Sequence, residues 1–232
     1  MAEIDAAGRT TREINAAIRL AITAGSGEII VRNPGARHNL AVALLEPVKL
    51  KIAGSVGYYC GGLGDGASIE VEGSAGWGLA ESMMSGLVRV HSHAGSGAAA
   101  ALRGGVVVVH GDAAARLGVS MKGGDVIVAG DCGYMAGFMA QKGTLIVCGN
   151  AGEAFADSMY ATVCYVGGKI ASLGTDAVLS EMEEGESQRL DQTLETYLGA
   201  DRPAAADFRK VVAGRKLWNF DKREWRIWQE AL

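Results

Sequence analysis

His91 and His110 stand 19 residues apart, and Glu72 precedes His91 by the same interval. Brought side by side, two imidazoles and a carboxylate could hold a metal ion, or a proton at a shifted pKa. A polar outer stripe or an interface contact would use the same residue types. A second constellation is Gly95-Ser96-Gly97-Ala98-Ala99-Ala100, shortly after Val88-Arg89-Val90. It matches the Gly-x-Gly-x-x-Gly/Ala loop whose glycines let a backbone approach a dinucleotide's pyrophosphate. GGLGDG at 61–66 suggests a phosphate loop in the same way, yet no Lys-Ser/Thr follows it. Ser92, Ser96 and Asp112 supply hydroxyls and a carboxylate without the grouping of a nucleophilic triad. The basic column of Arg103 and Lys122 suits either an acidic partner or plain solvation. Cys60, Cys132, Cys148 and Cys164 form no C-x-x-C pair, which excludes a zinc knuckle or an iron–sulfur run. They point to reduced thiols in a cytoplasmic protein.

What must position these residues is a repeat. In steps of 19 from Gly54 the chain reads Gly54, Gly73, Ser92, Gly111, Gly130, Gly149, Gly168. Three residues later it reads Gly57, Gly76, Gly95, Ala114, Gly133, Gly152. Two residues before the first column stand Ile52, Val71, Val90, Val109, Val128, Val147 and Val166, all β-branched. Alternating apolar positions make a strand with those members inward. The glycine after it marks a bend that needs positive φ or close backbone approach. A 19-residue unit is too short for a strand–helix–strand crossover. The pattern predicts an all-β solenoid, a parallel β-helix whose like residues stack at about 4.8 Å. Ile29-Ile30-Val31 and Gly35 extend it one coil backwards. Gly95 then has equivalents at Gly76, Gly133 and Gly152, and no helix or acidic residue follows as a dinucleotide fold requires. The loop is a coil corner. Glu72, His91 and His110 each follow an inward valine, so they face outward.

The ends read differently. Residues 1–28 form an N-terminal helical segment: Thr10-Thr11-Arg12-Glu13 has capping-box spacing ahead of Ile14, Ala17, Ile18 and Ala21 on one face. Gly25 ends that helix. Residues 29–173 are the coils, and residues 174–232 a C-terminal helical tail with Leu190, Leu194 and Leu198 at i, i+4, i+8. Trp218, Trp225 and Trp228 make the tail either a helix docked on the coil end or a docking surface for another subunit. The 34 glycines of 232 residues, with 3 prolines, lack a collagen period. A net charge of −4 offers no basic face for nucleic acid. No apolar stretch reaches the roughly 18 residues of a membrane span.

The coils EVEGSAGWG, VAGDCGYMAG and VCGNAGEAFADSM resemble the GXGXG domain. That domain is the C-terminal right-handed β-helix of the glutamate synthase large subunit, and it also occurs as a separate chain. The similarity covers most of the sequence: REINAAIRLA resembles the family's leading helix, DCGYMAG its Gly-Cys-x-Tyr-Met-x-Gly coil, and Phe208-Arg209-Lys210-Val211-Val212 its ending. A free-standing chain of this size is most similar to the β-helix subunit of methylamine–glutamate N-methyltransferase (N-methylglutamate synthase). The resemblance implies a hetero-oligomer that turns glutamate and methylamine into N-methylglutamate and ammonia. It places the nucleophilic cysteine on an amidotransferase-like subunit. FMN and an iron–sulfur cluster fall to an FMN-binding synthase subunit. This chain begins Met1-Ala2-Glu3 and lacks cluster spacing, so no catalytic or cofactor-binding residue carries over to it. Its implied role is a rigid spacer between the two active sites. The other readings are a β-helix subunit of formylmethanofuran dehydrogenase or the formyltransferase–hydrolase complex, an independent metal- or small-molecule-binding β-helix using Glu72, His91 and His110, and a purely structural homo-oligomer.

Overall fold

A computed structural model describes residues 1–200 and 203–215. The repeat is realised as one sheet of stacked strands. The first two are β1 (Ala2–Asp5) and β2 (Glu28–Arg32), separated by helix α1 (Thr11–Thr23). Then come β3 (Lys49–Ala53), β4 (Ser68–Val71), β5 (Leu87–Val90), β6 (Val106–Val109), β7 (Lys122–Val128), β8 (Lys142–Val147) and β9 (Ala161–Val166). All of these pair in parallel with their chain neighbours, and Leu50↔Ile69 and Val88↔Val107 hold the 19-residue register. The chain is a parallel β-solenoid, as the periodicity requires. Between β7 and β8 a register shift after Lys122 absorbs one extra residue. The coil read backwards from Ile29 is β2, joined to β3 with Ile29 opposite Leu50.

Each coil has a second line of contact, where single parallel bridges run Val56↔Ala75↔Ala94↔Ala113↔Cys132↔Ala151↔Ile170. Beyond it the backbone alternates in hand: Tyr59, Gly61 and Leu63 all have positive φ, as do Met135, Gly137 and Met139 further along. A non-glycine residue pays roughly 1–2 kcal/mol for that conformation. Hydrogen bonds in alternating directions offset the cost: Tyr59 N–H donates up to Trp77 O, Gly61 N–H down to Leu40 O, and Leu63 N–H up to Glu81 O. The interior is dry and close-packed, with Val71, Val90, Val109, Val128 and Val147 all fully buried. Most glycines of the two repeat columns answer to close coil-to-coil approach: a Cβ on Gly95 would lie 2.8 Å from the Gly76 carbonyl carbon, and one on Gly152 2.7 Å from that of Gly133.

The ends hold more strand than expected. β1 precedes the helix and pairs with β2, Ile4 opposite Val31. α1 has its capping box, with Thr10 Oγ1 accepting from Glu13 N–H and Glu13 Oε2 from Thr10 N–H. It buries Ile14 and Ile18. At the far end lie β10 (Ala177–Ser180), α2 (Glu186–Leu198) and β11 (Arg209–Ala213), which returns antiparallel onto β9 with Val211 opposite Cys164. The segment read as a helical tail thus includes two strands, because the open edge of β9 would otherwise leave a row of unpaired N–H and C=O groups. Trp218, Trp225 and Trp228 lie outside the described residues.

Candidate functional site

The outer face of the sheet carries the residues singled out by their chemistry. His91 and His110 do stack, with ring centroids 5.2 Å apart and planes 5° from parallel. Their partners are not the ones on their own column. His91 Nε2 lies 2.6 Å from Glu70 Oε1, while Glu72 Oε1 meets Lys51 Nζ at 2.8 Å. Arg89 Nη1 lies 3.2 Å from His110 Nε2. Lys51–Glu72, Glu70–His91 and Arg89–His110 are each 21 residues apart: one coil on, and two residues along. Outward side chains lean along the strand, so the diagonal neighbour is the one reached. Reading the sequence in steps of 21 would have paired them.

This geometry bears directly on metal binding. An imidazole lone pair lies in the ring plane, and two stacked, nearly parallel rings have no point where both lone pairs converge. Among the described residues no group of three or more His, Cys, Asp or Glu side chains is placed to hold a metal ion. The arrangement instead orders protons. Arg89 has only N–H groups to offer, so His110 Nε2 accepts and its proton sits on Nδ1. Burial first, then the nearby Arg89 and His91 charges, push the His110 pKa down. The hydrogen bond from His91 holds the Glu70 carboxyl below its ordinary value. Arg89 Nη1 also donates to Tyr197 O at 2.9 Å, tying the last turn of α2 to β5.

The other candidates are structural. Gly95 N–H donates to Ala75 O and Gly97 N–H to Ala115 O, both at 2.9 Å, so the amides a pyrophosphate would need are engaged between coils. In the GGLGDG stretch Gly61, Leu63, Asp65 and Gly66 are likewise bonded to neighbouring coils. Asp112 belongs to a corner ladder in which each side chain accepts from the next coil's backbone. Asp112 N–H donates to His93 Nδ1, Asp131 N–H to Asp112 Oδ1, and Asn150 N–H to Asp131 Oδ1. Ser92 Oγ pairs with Ser74 Oγ, and Arg103 and Lys122 are exposed. All four cysteines are buried and free. Burial pushes the Cys60 and Cys148 thiols up to about 12, which leaves them protonated and inert at neutral pH.

One polar cluster had no signal in the sequence. Glu186, at the start of α2, is buried against β9 and β11. Its Oε2 accepts from Lys210 Nζ at 2.8 Å and from Glu183 N–H at 2.6 Å, and its Oε1 from Tyr165 OH at 3.0 Å. Lys210 is only 6% exposed. Burial alone would raise the Glu186 carboxyl, but Lys210, the Glu183 amide and Tyr165 together hold it below the usual range. Burial, then the bond to Glu186, pushes Tyr165 up to about 12.

Fold and site together define a parallel β-solenoid whose polar side chains are engaged with one another and with neighbouring coils. Among the described residues no helix is long and apolar enough to cross a membrane. No protein-family model matches the chain. Protein GlxC of Rhizobium meliloti (strain 1021) is 52% identical to it over 224 residues, covering 95% of this chain and 97% of that protein. The chain belongs to the family of that protein.

Proposed function

We propose that the chain is the non-catalytic β-solenoid subunit of a multi-subunit glutamate synthase-like enzyme, N-methylglutamate synthase. The complex turns glutamate and methylamine into N-methylglutamate and ammonia. In this reading the solenoid holds an amidotransferase-like subunit and an FMN-binding synthase subunit at a fixed separation, and the flavin and iron–sulfur cluster reside on the latter. The enzyme is assigned from the likeness of the glycine coils to the GXGXG domain. The observation that carries the scaffold role is mechanical. One sheet runs from β1 to β10 with a filled interior, so the two ends of the stack cannot move independently. Rows of exposed apolar side chains on consecutive coils support it as well: Tyr58 stacks on Trp77 at 5.3 Å, with Leu63 and Met84 exposed on the same two coils. Aromatic side chains of this kind anchor interfaces.

The test is affinity capture of the tagged full chain from its own cells. Both partner subunits should co-elute, with flavin absorbance, and the eluate should form N-methylglutamate while the chain by itself does not. Recovery of the chain alone, or turnover by the isolated chain, overturns the reading.

A further inference from the structure

The first turns of α2 do not close flat against the sheet. Between them and β7–β9 lies a cavity of about 230 Å³. The sheet contributes Asp125, Thr144 and Tyr165, and the helix Glu186 and Arg189, over an apolar floor that includes Ile146. Glu186 is already satisfied by Lys210, the Glu183 amide and Tyr165. Asp125 and Arg189 are different. Among the described residues no hydrogen bond or ion pair engages either side chain. A carboxylate on the strand wall and a guanidinium on the helix wall thus share one small cavity without meeting.

Opposite charges set apart in this way match a molecule that carries both. A lone anion on Arg189 would face Asp125, and a lone cation on Asp125 would face Arg189. We propose that the cavity binds a small zwitterion, a free α-amino acid, with its carboxylate on Arg189 and its ammonium on Asp125. Arg189 lies in the first turn of α2, where the helix dipole adds to its pull on a carboxylate. The volume fits the assignment, since pockets for drug-sized ligands run to about 300–1,000 Å³ and this one is smaller. The apolar floor receives the amino acid's side chain. With one wall on the helix and the other on the sheet, the occupant ties α2 to β7 and β8. Ligand that binds only this closed arrangement stabilises it by mass action. The site is a property of this chain alone and does not rest on the subunit assignment.

The test uses the full chain and a panel of free amino acids, read by saturation-transfer NMR and by melting temperature, with acetate and methylammonium as the two half-ligands. At least one amino acid should bind and raise the melting temperature, while neither half-ligand does. Asp125→Asn and Arg189→Gln should each weaken that binding about tenfold or more, and should melt like the unliganded parent without ligand. The proposal is overturned if no amino acid binds, if a half-ligand binds as tightly as the whole, or if affinity survives both substitutions.

Discussion

The outer face of the sheet is one surface built in two ways. On β3–β5 its central outward column is Lys51, Glu70 and Arg89; on β6–β9 the same column continues as Val108, Ile127, Ile146 and Tyr165. The first half is open and laced with diagonal ion pairs. The second is covered by α2, whose Leu190 and Leu194 pack with Val108, Ile127 and Ile146 into a cluster separate from the solenoid interior. The inner wall barely differs between the halves, because every coil must fill the same space. A coil sets its own inside, and only what lies against it sets its outside.

The sharpest way to break that comparison is a charge placed at the same column in both halves. Ile127 is fully buried, and Ile127→Asp would put an unpaired carboxylate beneath α2. It should cost on the order of 4 kcal/mol or more, read as a collapse of the urea midpoint with early loss of α2. Lys51→Asp, in the open half, should leave the midpoint close to the parent. Equal losses at the two positions would mean that the halves are not distinct.

The next largest effect lies where the covered half is polar. Lys210→Met leaves Glu186 buried without its cation and should cost about 3–5 kcal/mol. The double variant Lys210→Met/Glu186→Leu should recover most of that loss. The pH dependence has a definite sign. The folded Glu186 carboxyl is held low, so its contribution is present above the unfolded value of about 4.3. It is lost as pH falls through the lowered folded value. Unfolding midpoints measured from pH 7 downward should show this acid loss in the parent and not in the double variant.

The two halves also divide what the sequence made legible. The inward columns were readable because each coil stacks on its neighbour, so Val90, Val109 and Val128 repeat the same demand every 19 residues. The glycine columns were readable for the same reason, since a Cβ at Gly133 or Gly152 would strike the coil before it. The left-handed positions at Tyr59, Arg116 and Met135 carry no composition signal. Their backbone is fixed by hydrogen bonds to the adjacent coil, which any side chain permits. Glu72 was read with His91 because columns were followed straight up, whereas outward side chains lean and find the diagonal. Glu186 and Lys210 lie 24 residues apart, in the segment beyond the repeat, so no period could join them. Their pairing needs the antiparallel return of β11 onto β9.

At the border between the halves a smaller effect is expected. Arg89 donates to both His110 and the Tyr197 carbonyl, so it joins the open face to the end of α2. The His110 pKa is lowered in the fold. Above about pH 6.5, the unfolded value, the ring is neutral in both states. As pH falls from there to the lowered folded value, the unfolded chain takes up the proton first and stability drops. Protonated His110 also turns a donor towards Arg89, which loosens the Tyr197 contact. Hydrogen exchange at the last turn of α2 should therefore quicken between pH 6.5 and 5. Arg89→Ala should quicken it at every pH, and His110→Phe should flatten the pH response. An α2 end indifferent to all three would separate the helix from the histidine pair.

The smallest effect discriminates most finely between column and diagonal. Glu70→Gln and Glu72→Gln are both exposed-face changes, and exposed ion pairs contribute little to stability, so both should melt like the parent. They differ in what they do to His91. The straight column places Glu72 beside it, while the structure places Glu70 Oε1 2.6 Å from its Nε2 and gives Glu72 to Lys51. The imidazole ¹⁵N resonances of His91 should move in Glu70→Gln and stay in place in Glu72→Gln. The reverse result would restore the straight column, and with it a carboxylate beside both stacked rings.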